Sequence, residues 1–388
     1  MNDTTLSRRT LLRAGAGAAL AGAAPGALEA RAQTPVPAPR TAPAKPLLIS
    51  HRGSSALRPE HTLASYAKAI EDGADFVEPD LVATKDGVLI ARHENNIADT
   101  TDVSKRPEFA DRKATRTIDG QNVTGWFTED FTLDEIKSLR AVERLPVEMR
   151  GQSHTYDGQF QLLTLAEIAD FVGAEAAARG RTIGLIPELK HPTYFRGIGL
   201  PLEERFLAAV EASHFLQTAP VIVQSFEVSN LQWLRPRIAG QSNIELLQLT
   251  LPMNVRPTDL APTGKGMTYA QMHTPEGLAK LRGYADWVSP ILQSIIPFGT
   301  MDGKPGPLGT PTALVRDAHA AGLKVSTWTF RPENVFLPTD YRGEGGEAAR
   351  HDEGSVRMMQ AYIATGIDSF FTDDPALGRR AIDTMPKE

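Results

Sequence analysis

Glu78 and Asp80 stand two residues apart in the run Phe76-Val77-Glu78-Pro79-Asp80-Leu81. If that run is a strand, both carboxylates point to one face. Two converging acids repel, so one takes a proton, basic partners neutralise them, or a divalent cation sits between them. Glu188 and Lys190 repeat the same spacing in a later run, adding a third carboxylate and a fixed positive charge. An all-oxygen set of this kind suits Ca²⁺ or Mg²⁺ rather than zinc. A structural salt-bridge layer is the alternative, and three acids on adjacent strands weigh against it. His51 and His93 each end a strand-like run and titrate near neutrality, so one can act as base and the other as acid. Arg52 follows His51, and its guanidinium fork matches phosphate oxygens. With a cation site alongside, these residue types point to chemistry on a phosphodiester. The remaining histidines outside this pattern (His154, His191, His214, His273, His319 and His351) fall in predicted loops or helices and read as surface or capping residues.

Such groups converge only if a regular scaffold brings strand ends together. From Lys45 onward, short β-rich runs alternate with stretches of helical period, which argues for βαβ units around a parallel sheet. The spacing predicts eight strands: 46–51, 76–81 with an extension over 88–93, 182–189, 220–226, 244–249, 287–291, 324–330 and 369–372. Helical periodicity recurs between them, as in Leu63, Tyr66, Ala67 and Ile70, and over 164–178, 202–210, 228–234, 278–284, 311–321 and 355–365. Eight strands with intervening helices fit an α/β fold of the TIM (β/α)8 barrel type better than an open doubly wound sheet. In such a barrel the chemistry belongs at the C-terminal strand ends, where the acids and histidines fall. One segment breaks the rhythm. Residues 95–161 are long and polar and read as an insertion after the second strand, with one helix over 133–139 capped by Thr132 and Glu135, and with the position of a substrate cover.

The N-terminus has a different composition. Ser7-Arg8-Arg9-Thr10-Leu11-Leu12, an Ala/Gly/Leu run and Ala30-Arg31-Ala32 together predict a twin-arginine signal peptide over 1–32, cleaved near Gln33. The apolar run is shorter than the roughly 20 residues of a membrane span, so stable membrane insertion after cleavage is not expected. A Pro/Ala-rich leader over 33–45 follows, then the barrel domain over 46–388. The expected location is the periplasm or the outside of the cell, reached through the twin-arginine export machinery. The chain has no cysteine, which removes disulfides and thiolate metal sites. Its net charge is −6, and loss of the signal leaves it more acidic still, so nucleic acid is not an expected partner.

His51-Arg52-Gly53, Pro59-Glu60-His61-Thr62, Glu78-x-Asp80, Thr84-Lys85-Asp86-Gly87, His93 and Glu188-Leu189-Lys190 resemble, in order and spacing, the glycerophosphodiester phosphodiesterase family. The resemblance runs from about Leu47 to Pro375. Gln224-Ser225-Phe226, Trp328-Thr329 and Thr372-Asp373-Asp374-Pro375 match its later strand ends, and the Pro-Glu-His-Thr form is similar to its periplasmic branch. Glu94 departs from the Asp that usually follows the second histidine. The resemblance implies that His51 and His93 are the acid/base pair. It also implies that Glu78, Asp80 and Glu188 bind one divalent cation, Ca²⁺ before Mg²⁺, and that Arg52 and Lys190 hold the phosphate. The substrate would be a small glycerophosphodiester. Trp328 can stack on a glycerol or alcohol face or plug the core, and Gly53 is expected to let the backbone approach the phosphate. A related barrel phosphodiesterase acting on membrane lipid would need an aromatic or basic docking patch, which is not seen. A non-catalytic binding protein on the same fold would not need both histidines and all three acids.

Overall fold

The computed structural model describes residues 45–300 and 304–386. The expected signal peptide over 1–32 and the expected leader over 33–45, apart from Lys45, lie outside the described residues.

Aliphatic and β-branched runs form thirteen strands: β1 (Leu47–His51), β2 (Phe76–Glu78), β3 (Asp80–Ala83), β4 (Leu89–Ala91), β5 (Ala114–Ile118), β6 (Gln121–Gly125), β7 (Gly184–Leu185), β8 (Glu188–Leu189), β9 (Val221–Ser225), β10 (Ile244–Thr250), β11 (Trp287–Pro290), β12 (Lys324–Val325) and β13 (Ser369–Thr372). Two of the eight expected runs appear as pairs, because Pro79 and Pro187 carry no N–H for the ladder. Their carbonyls still accept, from Glu188 N (3.0 Å) and Gln224 N (2.9 Å), so the sheet continues across each break. The parallel order is β12-β11-β10-β9-β7-β2-β1-β13. Beyond β12 the chain completes a barrel against β13: Asp368 N donates to Val325 O at 2.8 Å, Phe371 N to Thr327 O and Phe330 N to Phe371 O, both at 2.9 Å. The expected strand over 324–330 is thus regular only at its start, and its later part lies along β13 with Phe330 opposite Thr372.

Ile49, Phe76, Ile186, Ile222, Leu247, Leu249, Trp287 and Phe371 form a buried cluster of their own, apart from the large core under the helices. These residues come from alternate positions on strands all around the barrel and fill its interior. Side chains alternate along a strand, so two residues further on the same face presents His51, Glu78, Glu188, Gln224 and Asp373. The apolar cluster is therefore the floor on which the polar groups stand.

Helix α1 (Leu63–Glu71) is capped by Thr62, whose hydroxyl accepts from Ser65 N. In the insertion, α2 (Leu133–Ser138) has the expected capping box of Thr132 and Glu135. Helix α3 (Val147–His154) and the β5–β6 hairpin, whose turn is Asp119-Gly120 at positive φ, carry too little periodicity to be read in advance. Helix α4 (Leu165–Arg179) follows, opened by the Thr164–Glu167 box and ended by Gly180 in the left-handed region. The helix expected over 278–284 begins earlier, at Pro275, because Thr274 caps it and Pro suits the first helical turn.

Candidate active site

At the mouth of the barrel the strands set the acids side by side. Asp80 pairs in register with Glu188, Glu188 with Gln224, and His51 with Glu78. One carboxylate oxygen from each of Glu78, Asp80 and Glu188 lies within 4.8 Å of the others, and all three side chains are buried. Glu78 accepts from Arg52 N (2.8 Å) and Gln224 Nε2 (3.2 Å). Lys190 Nζ lies 2.8 Å from Glu188 and 3.9 Å from Asp80. Burial, and next the neighbouring Asp80, pushes the Glu78 carboxyl well above the usual range. Burial likewise raises Glu188 to about 7 against the pull of Lys190. On Asp80 burial is outweighed by Lys190, His93 and Arg52, which hold it well below the usual range. Three hard oxygen donors crowded in a dry site, two of them reluctant to ionise, are the donor set a Ca²⁺- or Mg²⁺-sized cation fits.

Each histidine is held by a carboxylate. His51 Nδ1 lies 2.6 Å from Asp373 Oδ1, so Nδ1–H donates there and Nε2 is left as the basic nitrogen. Asp373 also accepts from Arg150 Nη2 (2.7 Å) and Arg331 Nε (3.0 Å). Burial and the nearby Arg52 lower His51 to about 4, with Asp373 opposing. On the other side His93 Nδ1 is hydrogen-bonded to Glu94. His93 does not end a barrel strand, contrary to expectation. Thr84 turns the chain back, its hydroxyl accepting from Val88 N (3.0 Å) and donating to Asp86 (2.6 Å), and β4 returns antiparallel to β3. Arg92 N then donates to Asp80 O at 2.9 Å, which delivers His93 to the level of the acids by a hairpin.

Arg52 is in the left-handed region (φ 58°), with Nη1 on Glu60 (2.9 Å) and Nε 3.2 Å from Asp80. That geometry aims the guanidinium along the acid cluster. Gly53, at φ 90°, answers a packing demand: a Cβ there would lie 2.4 Å from Ser65 Oγ, so glycine is what admits α1 at this place. Trp328 roofs the barrel interior, with Nε1 donating to Ser289 O (3.0 Å) and its ring edge-on to Phe226 at 5.5 Å.

Sequence reasoning passed over four contributors. His61 is fully buried, with Nε2 on Asp80 Oδ2 (3.0 Å) and Nδ1 on Tyr66 Oη (2.9 Å), so it orients one of the three clustered acids. Asp373 was noted only as a strand end. Arg144 and Arg150 come from the insertion, where no pattern marked them. The counterparts of Arg144, Glu60 and Glu94, were visible inside the motifs, and a search for a cation to match them would have pointed to it, whereas Arg150, paired with Asp373 and Glu333, had no such sign.

The glycerophosphoryl diester phosphodiesterase family model matches residues 51–377. The chain belongs to that family. It is 33% identical over 342 residues to a glycerophosphodiester phosphodiesterase of Arabidopsis thaliana, covering 85% of this chain and 84% of the relative. A Caldanaerobacter subterraneus relative of the same name is 34% identical over 335 residues, covering 85% and 95%. The fold also matches the crystal structure of a Silicibacter pomeroyi protein described as a putative glycerophosphoryl diester phosphodiesterase. That match has a TM-score of 0.60 and 21% identity and covers 89% of this chain and 96% of that one. An Oleispira antarctica phosphodiesterase in complex with sn-glycerol-3-phosphate matches at a TM-score of 0.54 and 19% identity, covering 88% and 98%. The chain is thus an enzyme of the phosphodiesterase class on a TIM-type barrel, with the acids and histidines of its motifs gathered at one mouth.

Proposed function

We propose that this phosphodiesterase hydrolyses soluble glycerophosphodiesters to sn-glycerol 3-phosphate and an alcohol, with His51 as base and His93 as acid. The observation that carries the reading is the acid cluster flanked by two histidines, each with a carboxylate on Nδ1 and Nε2 left to exchange a proton. Glu78, Asp80 and Glu188 would hold one divalent cation, Ca²⁺ in preference to Mg²⁺, and that ion supplies charge neutralisation at a phosphoryl oxygen. Arg52 and Lys190 share the negative charge that develops as the phosphorus–oxygen bond breaks. His51 Nε2 takes the proton of the nucleophile, either water or the vicinal hydroxyl of the glycerol, and His93 Nε2 gives one to the departing alkoxide. With water the two histidines then regain their starting protons through solvent; with the hydroxyl a second step, water opening the cyclic phosphate with the histidine roles reversed, restores them. Trp328 and Phe226 form the apolar wall beside Lys190, suited to a glycerol or alcohol face. The product bound in the Oleispira structure agrees with this substrate class.

The twin-arginine pattern at Ser7–Leu12 supports export to the periplasm, and Pro59-Glu60-His61-Thr62 supports the periplasmic branch of the family. The test is product analysis with glycerophosphocholine. His93→Ala is expected to lower turnover by about 10² to 10⁴ with sn-glycerol 3-phosphate as the phosphorylated product. Near-normal turnover in that variant, or release of phosphocholine instead, overturns the assignment.

A further inference from the structure

The insertion supplies more than cover. Seven residues, Arg144-Leu145-Pro146-Val147-Glu148-Met149-Arg150, carry an arginine at each end, and each arginine grips the carboxylate that holds one of the two histidines. Arg144 binds both oxygens of Glu94 (2.9 and 2.8 Å) and reaches Glu60 (2.6 Å), itself the partner of Arg52. Arg150, almost completely buried, binds Asp373 (2.7 Å), both oxygens of Glu333 (2.6 and 3.3 Å) and the carbonyl of Ser55. The result is the same chain twice: guanidinium, carboxylate, imidazole Nδ1.

The segment is itself tied down. Glu143 accepts from Leu145 N (2.9 Å) and Ser153 Oγ (2.6 Å), His154 bonds to Leu145 O (2.7 Å), and Asp157 holds both His154 (2.7 Å) and Glu143 N (2.7 Å). A fork-shaped donor on both oxygens fixes a carboxylate in its plane, which a single point charge does not do. A carboxylate fixed in that way fixes the imidazole it accepts from. Glu94 most needs such a clamp. Its side chain is about one-third exposed (37%) and it carries a methylene more than the aspartate usual at this place. By contrast Asp373 is buried against the barrel.

We propose that Arg144 and Arg150 are positioning residues, Arg144 setting His93 through Glu94 and Arg150 setting His51 through Asp373, so that this one stretch of the insertion aligns both proton-transfer groups. The inference rests on the acid/base reading above, and two substrates separate the two. Glycerophosphocholine loses an alkoxide that must be protonated. A glycerol p-nitrophenyl phosphodiester loses a phenolate stable enough to leave unaided.

Arg144→Gln is expected to lower kcat/KM on glycerophosphocholine by about 10 to 100-fold, the usual effect of losing a residue that orients a ligand or base. The fall on the p-nitrophenyl ester is expected to be at least tenfold smaller. Whatever is lost through Glu60 and Arg52 strikes both substrates, so the ratio between them reports on His93 alone, and Arg144→Lys should recover part of it. For Arg144 a merely structural role predicts equal falls on both. Arg150→Lys should lower kcat on both substrates in step by about tenfold or more while KM for each stays within about twofold, since the base serves either, whereas a merely structural disturbance of the site would move KM as well. Glu333→Gln, which loosens Arg150 without touching His51, gives the same test in a milder variant if the lysine protein does not fold.

The control is His93→Ala. If it discriminates between the substrates while Arg144→Gln lowers both equally, the positioning role is wrong and the acid assignment stands. If His93→Ala itself lowers both equally, the acid assignment fails. Arg150→Lys and Glu333→Gln proteins that both keep activity within about twofold would remove the Arg150 half.

Discussion

Replacing Asp373 with Asn separates a carboxylate that orients the base from one that merely neutralises arginines. Asp373 is 3% exposed and accepts three hydrogen bonds, from His51 (2.6 Å), Arg150 (2.7 Å) and Arg331 (3.0 Å). An asparagine keeps the shape but has one acceptor oxygen and one NH₂ group. The two guanidiniums can only donate, so the oxygen turns to them and the NH₂ faces His51. Nδ1 must then accept, which puts the ring proton on Nε2 and removes the basic nitrogen from the site. The same tautomer error costs about 10⁴ in a serine-protease triad, and general base catalysis as a whole is worth about 10² to 10⁴, so kcat should fall within that range. Removing one partner of a buried ion pair costs about 3–5 kcal/mol. The loss here should be smaller, about 1–3 kcal/mol, because Arg150 keeps Glu333 and the amide oxygen still accepts. Steady-state turnover of glycerophosphocholine and urea denaturation measure the two effects separately. A protein that loses the stability but keeps kcat within about threefold would show that Asp373 is a structural counter-ion only.

Three further outcomes follow from the same structure. His51 is lowered to about 4 and is needed neutral, so at saturating cation protonation of this base should cut kcat/KM only below about pH 5; an acid limb near 6.5 that persists at saturating cation would place the base elsewhere. Burial also lowers His273, hydrogen-bonded to Thr250 at 2.8 Å, to about 4. The unfolded chain takes up that proton near pH 6.5, so this contribution to stability is complete above 6.5 and is lost as pH falls toward 4. His273→Asn should remove up to about 1.4 kcal/mol per pH unit from the slope of denaturation free energy in that window, and an unchanged slope would contradict it. Gly53→Ala forces a Cβ to within 2.4 Å of Ser65 Oγ and 2.7 Å of its backbone carbon at φ 90°, and should cost on the order of 1–3 kcal/mol by thermal denaturation.

The floor and the acids were legible because both depend on a period of two. Ile49 with His51, Phe76 with Glu78, and Ile186 with Glu188 each put an apolar residue beneath a polar one on the same face, and that alternation can be counted. The capping box of α2 was legible for a similar reason, since Thr and Glu three apart act locally. The path of His93 was not. Val88 to His93 has strand composition whichever way it runs, and the Thr84–Asp86 turn decides that it folds back. Arg150 was hidden because its partners Asp373 and Glu333 lie roughly 200 residues away, and an arginine in a polar stretch carries no sign that it will be buried. The hairpin β5–β6 met the same difficulty. Thr115, Thr117 and Thr124 lie on its exposed face and Arg116 interrupts the other side, formed by Ala114, Ile118 and Val123, so the half-exposed ribbon has little hydrophobic pattern to show.

The central claim is that a cation held by Glu78, Asp80 and Glu188 makes this barrel mouth a glycerophosphodiester hydrolase. The direct measurement is release of sn-glycerol 3-phosphate from glycerophosphocholine by protein stripped with EDTA, titrated with Ca²⁺ and with Mg²⁺, alongside a Glu78→Gln/Glu188→Gln variant. The account predicts no release from the stripped protein, full recovery with stoichiometric cation, Ca²⁺ at lower concentration than Mg²⁺, and no recovery in the variant. Undiminished release from stripped protein, or recovery in the variant equal to that of the unaltered chain, would contradict it.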